Sequence, residues 1–142
     1  ETDWVLSRLG LPYTSVIVPN VYGIGGSGVV SRLLFDREPV IYGDGKQVRE
    51  FIYIEDALNA LLDVGLTPKL GRHVLGGDHV SINDIAKVIG RTIPHAPERK
   101  YELLVTPSTS PTWTAPTKLE EGIQRMIKEA EEAGLTHYGR AV

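Results

Sequence analysis

Apolar positions along this chain change their period several times, and each change predicts a new element. Trp4, Val5, Leu6 and Leu9 recur at mixed three- and four-residue spacing, which predicts the end of an amphipathic helix closed by Gly10. Thr14 to Val18 is β-branched and mostly apolar, the pattern of a buried strand. A glycine-rich stretch, Tyr22 to Gly28, leads into a short helix from Val29 to Phe35. Pro39 to Tyr42 predicts a second strand and Gly43 to Lys46 a turn. Val48 to Ile54 then predicts an extended segment with Phe51 and Tyr53 on the face opposite Ile52 and Ile54. From Glu55 the helical period returns, with Ala57, Leu58, Leu61, Leu62 and Val64 forming an apolar stripe that is expected to stop at Gly65.

A short apolar strand, His73 to Leu75, precedes Ser81-Ile82-Asn83-Asp84, which resembles a capping box with Asp in place of Glu ahead of Ile85, Ala86, Val88 and Ile89. Tyr101 to Val105 is another strand candidate. Thr106 to Pro116 is rich in Pro, Ser and Thr, with Trp113 as its anchor. Thr117 to Glu120 reads as a second capping box, and Leu119, Ile123, Met126, Ile127 and Ala130 stripe the closing helix. Strands and helices alternate without an internal repeat, so the expected class is α/β.

Composition narrows what such a fold can do. The 142 residues suffice for one domain, 1–142, and not for two full ones. The chain opens on Glu1 and its one methionine is Met126, which leads us to expect a piece of something longer. Fifteen basic against eighteen acidic residues leave a formal charge of -3, so no basic field invites nucleic acid or an anionic membrane. With no cysteine, disulfides, thiolate zinc sites and cysteine nucleophiles are impossible. No apolar run approaches the roughly 20 residues that span a bilayer. A cytoplasmic location is the default expectation. His73, His79, His95 and His137 show no metal spacing, and structural or solvated roles are expected for them.

Two local motifs invite misreading. Gly23-Ile24-Gly25-Gly26-Ser27-Gly28 matches G-x-G-x-x-G between a strand and a helix, the context of a dinucleotide loop. Against that, Asn20 and Tyr22 stand where such a strand is small and apolar, and no strand ending in Asp or Glu follows about 20 residues on. A flexible loop is the competing reading. Tyr42-Gly43-Asp44-Gly45-Lys46 matches Tyr-x-x-x-Lys, but that dyad needs one helical face, and Gly-Asp-Gly between its members opposes a helix.

The stretch from Val40 to Asp56, which includes Tyr42-Gly43-Asp44-Gly45-Lys46-Gln47-Val48-Arg49-Glu50-Phe51, closely resembles a segment of the extended short-chain dehydrogenase/reductase family, specifically its NAD-dependent sugar-nucleotide epimerases and dehydratases. Asn20-Val21-Tyr22-Gly23 is similar to that family's "NVYGP", and Val74 to Gly77 with Val80 to Ile82 to its "yNiGsg…vsi". Trp113 to Pro116 with Leu119 to Gly122 resembles "GWxP…leeG". These matches occur in the family's order over nearly the whole chain. The likeness is closest in kind to the UDP-glucose 4-epimerases.

The resemblance implies a C-terminal, substrate-binding portion of mixed short strands and helices, without the full Rossmann sheet. The NAD-binding half and the catalytic Tyr-x-x-x-Lys would precede Glu1, and Gly23 to Gly28 would be a loop beside the substrate, its dinucleotide fingerprint coincidental. No catalytic residue is therefore expected in this chain, and none of its residues is expected to bind NAD, the parent family's cofactor. The implied ligand is a nucleoside diphosphate sugar, most simply a UDP-sugar. Arg49 matches the arginine whose forked guanidinium answers the pyrophosphate. Asn20 matches the asparagine that donates to the phosphates or the sugar. Lys46 and Gln47 fall in the loop near the ribose, and Val40 to Tyr42 on the edge that holds the base. The competing structural reading pairs Arg49 with Glu50, Glu55 or Asp56 and makes Asn20 a turn cap. In the family the acid before Phe51, here Glu50, is structural, and Asp56 stands near a helix start.

Two family arginines have no counterpart here. One position is nearest Ile17, and Thr106 to Pro111 replaces the text around the other, with only Arg99 upstream. Loss of the second would weaken pyrophosphate binding by roughly 1.5–3 kcal/mol. Further expectations are a homodimer or association with a Rossmann half; the alternatives are a stand-alone nucleotide-binding or regulatory module, and a scaffold piece needing a partner chain.

Overall fold

A computed structural model describes residues 2–67, 69–98 and 110–139. The expected strand from Tyr101 to Val105, Thr106 to Thr109 and Arg99 lie outside the described residues. In chain order the elements are α1 (Thr2–Arg8), β1 (Thr14–Ile17), β2 (Asn20–Tyr22), α2 (Val29–Phe35), β3 (Ile41–Tyr42), β4 (Val48–Tyr53), α3 (Ile54–Leu66), β5 (Gly71–Gly76), β6 (Asp78–Ser81), α4 (Ile82–Ile89), β7 (His95–Ala96), β8 (Trp113–Thr114) and α5 (Leu119–Glu132). The α/β expectation is met, with short strands in three small sheets. β1, β5 and β8 are parallel, β4 runs parallel to β2 and antiparallel to β6, and β3 pairs in parallel with β7.

Strand β4 organises the interior because both of its faces are covered. Phe51 and Tyr53 point into a core built with Tyr22, Leu33, Leu34, Ile85, Ile89, Ile123, Met126 and Ile127 from β2, α2, α4 and α5. Ile52, on the opposite face, joins Ala57 and Ala60 of α3, Leu75 of β5 and Ala115. This is the alternation expected from period two, except that Ile54 leaves the strand and begins α3. The α3 stripe is a second correction. Ala57, Ala60 and Val64 face inward, whereas Leu58, Leu61, Leu62 and Leu66 lie on the surface. The helix also runs through Gly65 to Leu66, since that glycine has nothing near it and neighbouring turns carry the chain past it.

Caps explain where two helices begin. At α4 the Ser81 hydroxyl accepts the Asp84 backbone N–H (3.1 Å) and donates to the Asp84 carboxylate (2.7 Å), and Lys87 completes the cluster at 2.9 Å. The helix closes on Gly90 in the left-handed region. The second expected capping box forms differently. Thr117 turns away from α5 and donates both its backbone N–H (2.9 Å) and its hydroxyl (3.1 Å) to the buried Asp56 carboxylate. The Leu119 N–H is taken instead by Asp78 of β6 at 2.7 Å, with Lys118 beside it at 3.0 Å. A carboxylate from a neighbouring strand does here what the local hydroxyl does at α4.

The Gly43 to Lys46 turn is locked onto α4. Asn83 donates through its side chain to Asp44 O (2.8 Å) and through its backbone to Gly45 O (3.0 Å). Gly45 sits at φ +71°, and any Cβ there would collide with the Asn83 side chain. A side chain there would be strained and would displace the Asn83 amide that seats the turn.

Ser81 and Lys87 hold the Asp84 carboxyl below its ordinary value of 3.8. A carboxyl depressed in the folded state stabilises above its unfolded pKa and loses that contribution as pH falls through the lower folded value. Asp84→Asn should therefore lower stability at pH 7 by less than about 1 kcal/mol, given solvent screening. The deficit should shrink in urea titrations as the pH is taken progressively below 3.8; a deficit independent of pH would refute the cap.

Candidate nucleotide-sugar site

Where β2, β3, β4 and α2 converge, a cavity of about 380 Å³ opens. That volume lies at the lower end of the range for small-molecule sites, about 300–1,000 Å³. Asn20, Val40, Tyr42, Gln47 and Arg49 all line it. Lys46 is not among the lining residues; it lies on the turn with its ammonium 3.4 Å from Asp44. The structure thus gathers five of the six predicted positions around one space, although they span thirty residues of sequence.

Each is set by its element. Asn20 opens β2, and its amide donates across to Glu50 O of β4 at 2.9 Å, which ties the strand bearing it to the residue after Arg49. Gln47 is buried, and its amide donates to Tyr42 O at 3.0 Å, closing the turn across its base. Arg49 is half-buried on β4, with one terminal nitrogen on Val48 O at 2.9 Å. The carboxylates near it in sequence have partners on other elements. Glu50 accepts the Gly77 N–H at 2.9 Å, Glu55 meets Arg125 at 2.9 Å, and Asp56 holds Thr117.

The glycine-rich loop, which the family resemblance puts beside the substrate, contributes Ser27 and Gly28 to the lining, and α2 adds Ser31 and Arg32, to which no motif pointed. A helix of seven residues is too short to persist alone, so its far end is held from outside. Arg91 donates to Leu33 O (2.7 Å), Asp36 O (2.9 Å) and Arg37 O (3.1 Å), and its guanidinium lies 4.9 Å from the Tyr138 ring centroid. The Tyr138 N–H donates to Leu34 O at 2.9 Å. One signal did exist: Ser31 is a buried hydroxyl inside an otherwise apolar stripe of Val30, Leu33 and Leu34.

The floor of the cavity includes Tyr22, whose ring packs on Gly122 of α5. Its buried hydroxyl has no hydrogen-bond partner among the described residues. Burial, reinforced by the charges of Asp78 and Asp56, pushes the phenol well above its usual range, so it stays protonated. Among the described residues no cluster of His, Asp and Glu could hold a metal ion, and no helix is long and apolar enough to cross a membrane.

The NAD dependent epimerase/dehydratase family model matches residues 2–82. This chain belongs to that family. The epimerase/dehydratase chain is 30% identical over 139 residues to a protein of Methanocaldococcus jannaschii assigned as a UDP-glucose 4-epimerase, the alignment taking in 83% of this chain and 45% of that one. UDP-glucose 4-epimerase from Thermotoga maritima, solved with UDP-glucose, superposes with a TM-score of 0.73 at 24% identity, over 93% of this chain and 50% of that one. MoeE5, solved with UDP-glucuronic acid and NAD, gives 0.69 at 26% identity, over 87% and 48%. The chain therefore spans about half the length of the proteins it resembles. In the family, Arg49 and Asn20 fall in matched text, while Arg32 was not singled out by any motif.

Removing the unsatisfied Tyr22 hydroxyl costs no hydrogen bond, so Tyr22→Phe should leave stability unchanged or raise it. Gly122→Ala, which would normally favour a helix, should instead cost about 1–3 kcal/mol because its Cβ meets the Tyr22 ring. Urea unfolding of both variants checks the pair, and a Gly122→Ala variant more stable than the parent would refute the contact.

Proposed function

We propose that this chain binds a nucleoside diphosphate sugar, most simply a UDP-sugar, as the substrate-binding portion of an NAD-dependent nucleotide-sugar epimerase or dehydratase. The observation that carries the reading is the convergence of Asn20, Val40, Tyr42, Gln47 and Arg49 on one cavity. Arg49 takes the pyrophosphate, whose charge and forked oxygens suit a guanidinium. Asn20, with one N–H on Glu50 O, retains a second for phosphate or sugar. Val40 to Tyr42 line the base, and Gln47, with Lys46 on the same turn, stands toward the ribose. Complexes of MoeE5 with UDP-glucuronic acid and of the T. maritima epimerase with UDP-glucose support the ligand class.

NAD does not fit the residues described here. Asn20 and Tyr22 stand where the strand before a dinucleotide loop is small and apolar, and neither β3 nor β4 ends in an Asp or Glu that could take a ribose hydroxyl. No hydride step is derived for this chain, and on this reading it is not catalytic alone. The NAD-binding part of the enzyme would pack on the exposed apolar residues of α1 (Trp4, Val5) and α3 (Leu58, Leu61, Leu62, Leu66). The cytoplasm is the compartment we infer for a chain of this kind.

Calorimetric titration with UDP, UDP-glucose and NAD tests the ligand. UDP should bind, and Arg49→Ala should weaken it about tenfold to a hundredfold, the worth of one charged hydrogen-bonding group. NAD binding that depends on Gly25 would overturn the assignment in favour of a dinucleotide loop. Sedimentation tests the surface: the chain should self-associate through its uncovered leucines. A monomer with a sharp thermal transition would instead favour a self-sufficient nucleotide-binding or regulatory module.

A further inference from the structure

Two arginines line the cavity, Arg49 on β4 and Arg32 on α2. We propose that Arg32 is a second anion-binding residue of this site, gripping the diphosphate together with Arg49 in place of the family arginine that the sequence around Thr106 to Pro111 lacks. The inference rests on the nucleoside diphosphate reading of the cavity and deepens it.

The setting of Arg32 suits a group that changes partners. Its one ion pair among the described residues runs through Nε to Asp36, 3.5 Å away, with both side chains about half exposed. The terminal nitrogens, the fork that grips phosphate oxygens, make no hydrogen bond to the described residues. The pair is also poorly placed to persist. A cation four residues ahead of an anion is the weaker orientation on a helix, and Asp36, at the C-cap of α2, faces the negative end of the helix dipole. Exposed pairs of this kind contribute little, so a diphosphate can displace Asp36 readily. Arg91 meanwhile fixes the far end of α2, so Arg32 is presented from an anchored wall.

Calorimetric titration of the full chain with inorganic pyrophosphate, UDP and uridine, on the parent and on Arg32→Ala, Asp36→Asn and the double variant, tests this. Arg32→Ala should weaken pyrophosphate and UDP about tenfold and leave uridine unchanged. Asp36→Asn should tighten both anions several-fold, and that gain should disappear in the double variant. Arg32→Lys, with its melting curve beside that of the parent, separates lost charge from lost fold and should retain part of the affinity. UDP binding that requires Arg49 but is unmoved by Arg32→Ala would overturn the inference and leave the ligand assignment standing. Pyrophosphate binding through both arginines without any preference for UDP would do the reverse. No binding of either anion would refute both.

Discussion

A strand covered on both faces must be paired on both edges, and the arrangement of this protein follows from β4 meeting that condition. Phe51 and Tyr53 on one side and Ile52 on the other need separate apolar partners, so two cores form back to back across one strand. The backbone groups between them need β2 on one edge and β6 on the other. Those pairings bring Asn20 beside the segment that carries Arg49, and they bring Asp78 to the start of α5. The cavity opens beside β4, where polar residues begin to replace its apolar run.

Distant residues fix the walls of that cavity. Arg91 and Tyr138 satisfy the C-terminal carbonyls of α2 from another part of the chain, and Tyr22 rests on α5 through Gly122. Two aspartates from different elements, Asp56 and Asp78, hold the entry to α5 in turn. The site is thus supported by contacts of long sequence separation, and its shape is a property of the assembled fold.

That dependence also accounts for what the sequence could and could not announce. Helices with a clear period, α2, α4 and α5, were legible because their stripes meet the core directly. β2, β6, β7 and β8 were not, since two to four residues carry little periodic signal and exist as strands only through their partners. The α3 stripe misled because periodicity reports an apolar face without saying what that face meets. Thr117 looked like a local cap until Asp56 competed for it. Among the site residues, those in the matched motif text were readable, whereas Arg32 sits on a helix whose sequence speaks only of packing. The role proposed for it comes from its place in the lining of the cavity.

The turn from Gly43 to Lys46 has a consequence for how fast a ligand is captured. Asn83 seats it on α4 and Gln47 closes its base, so its ordering entropy is met when the chain folds and not when a ligand arrives. A mobile lid adds a conformational step to every encounter and slows association. For the ligand proposed above, the wall carrying Gln47 is already in place, and capture on that side would be governed by diffusion and orientation, with charge from the arginines to guide the approach.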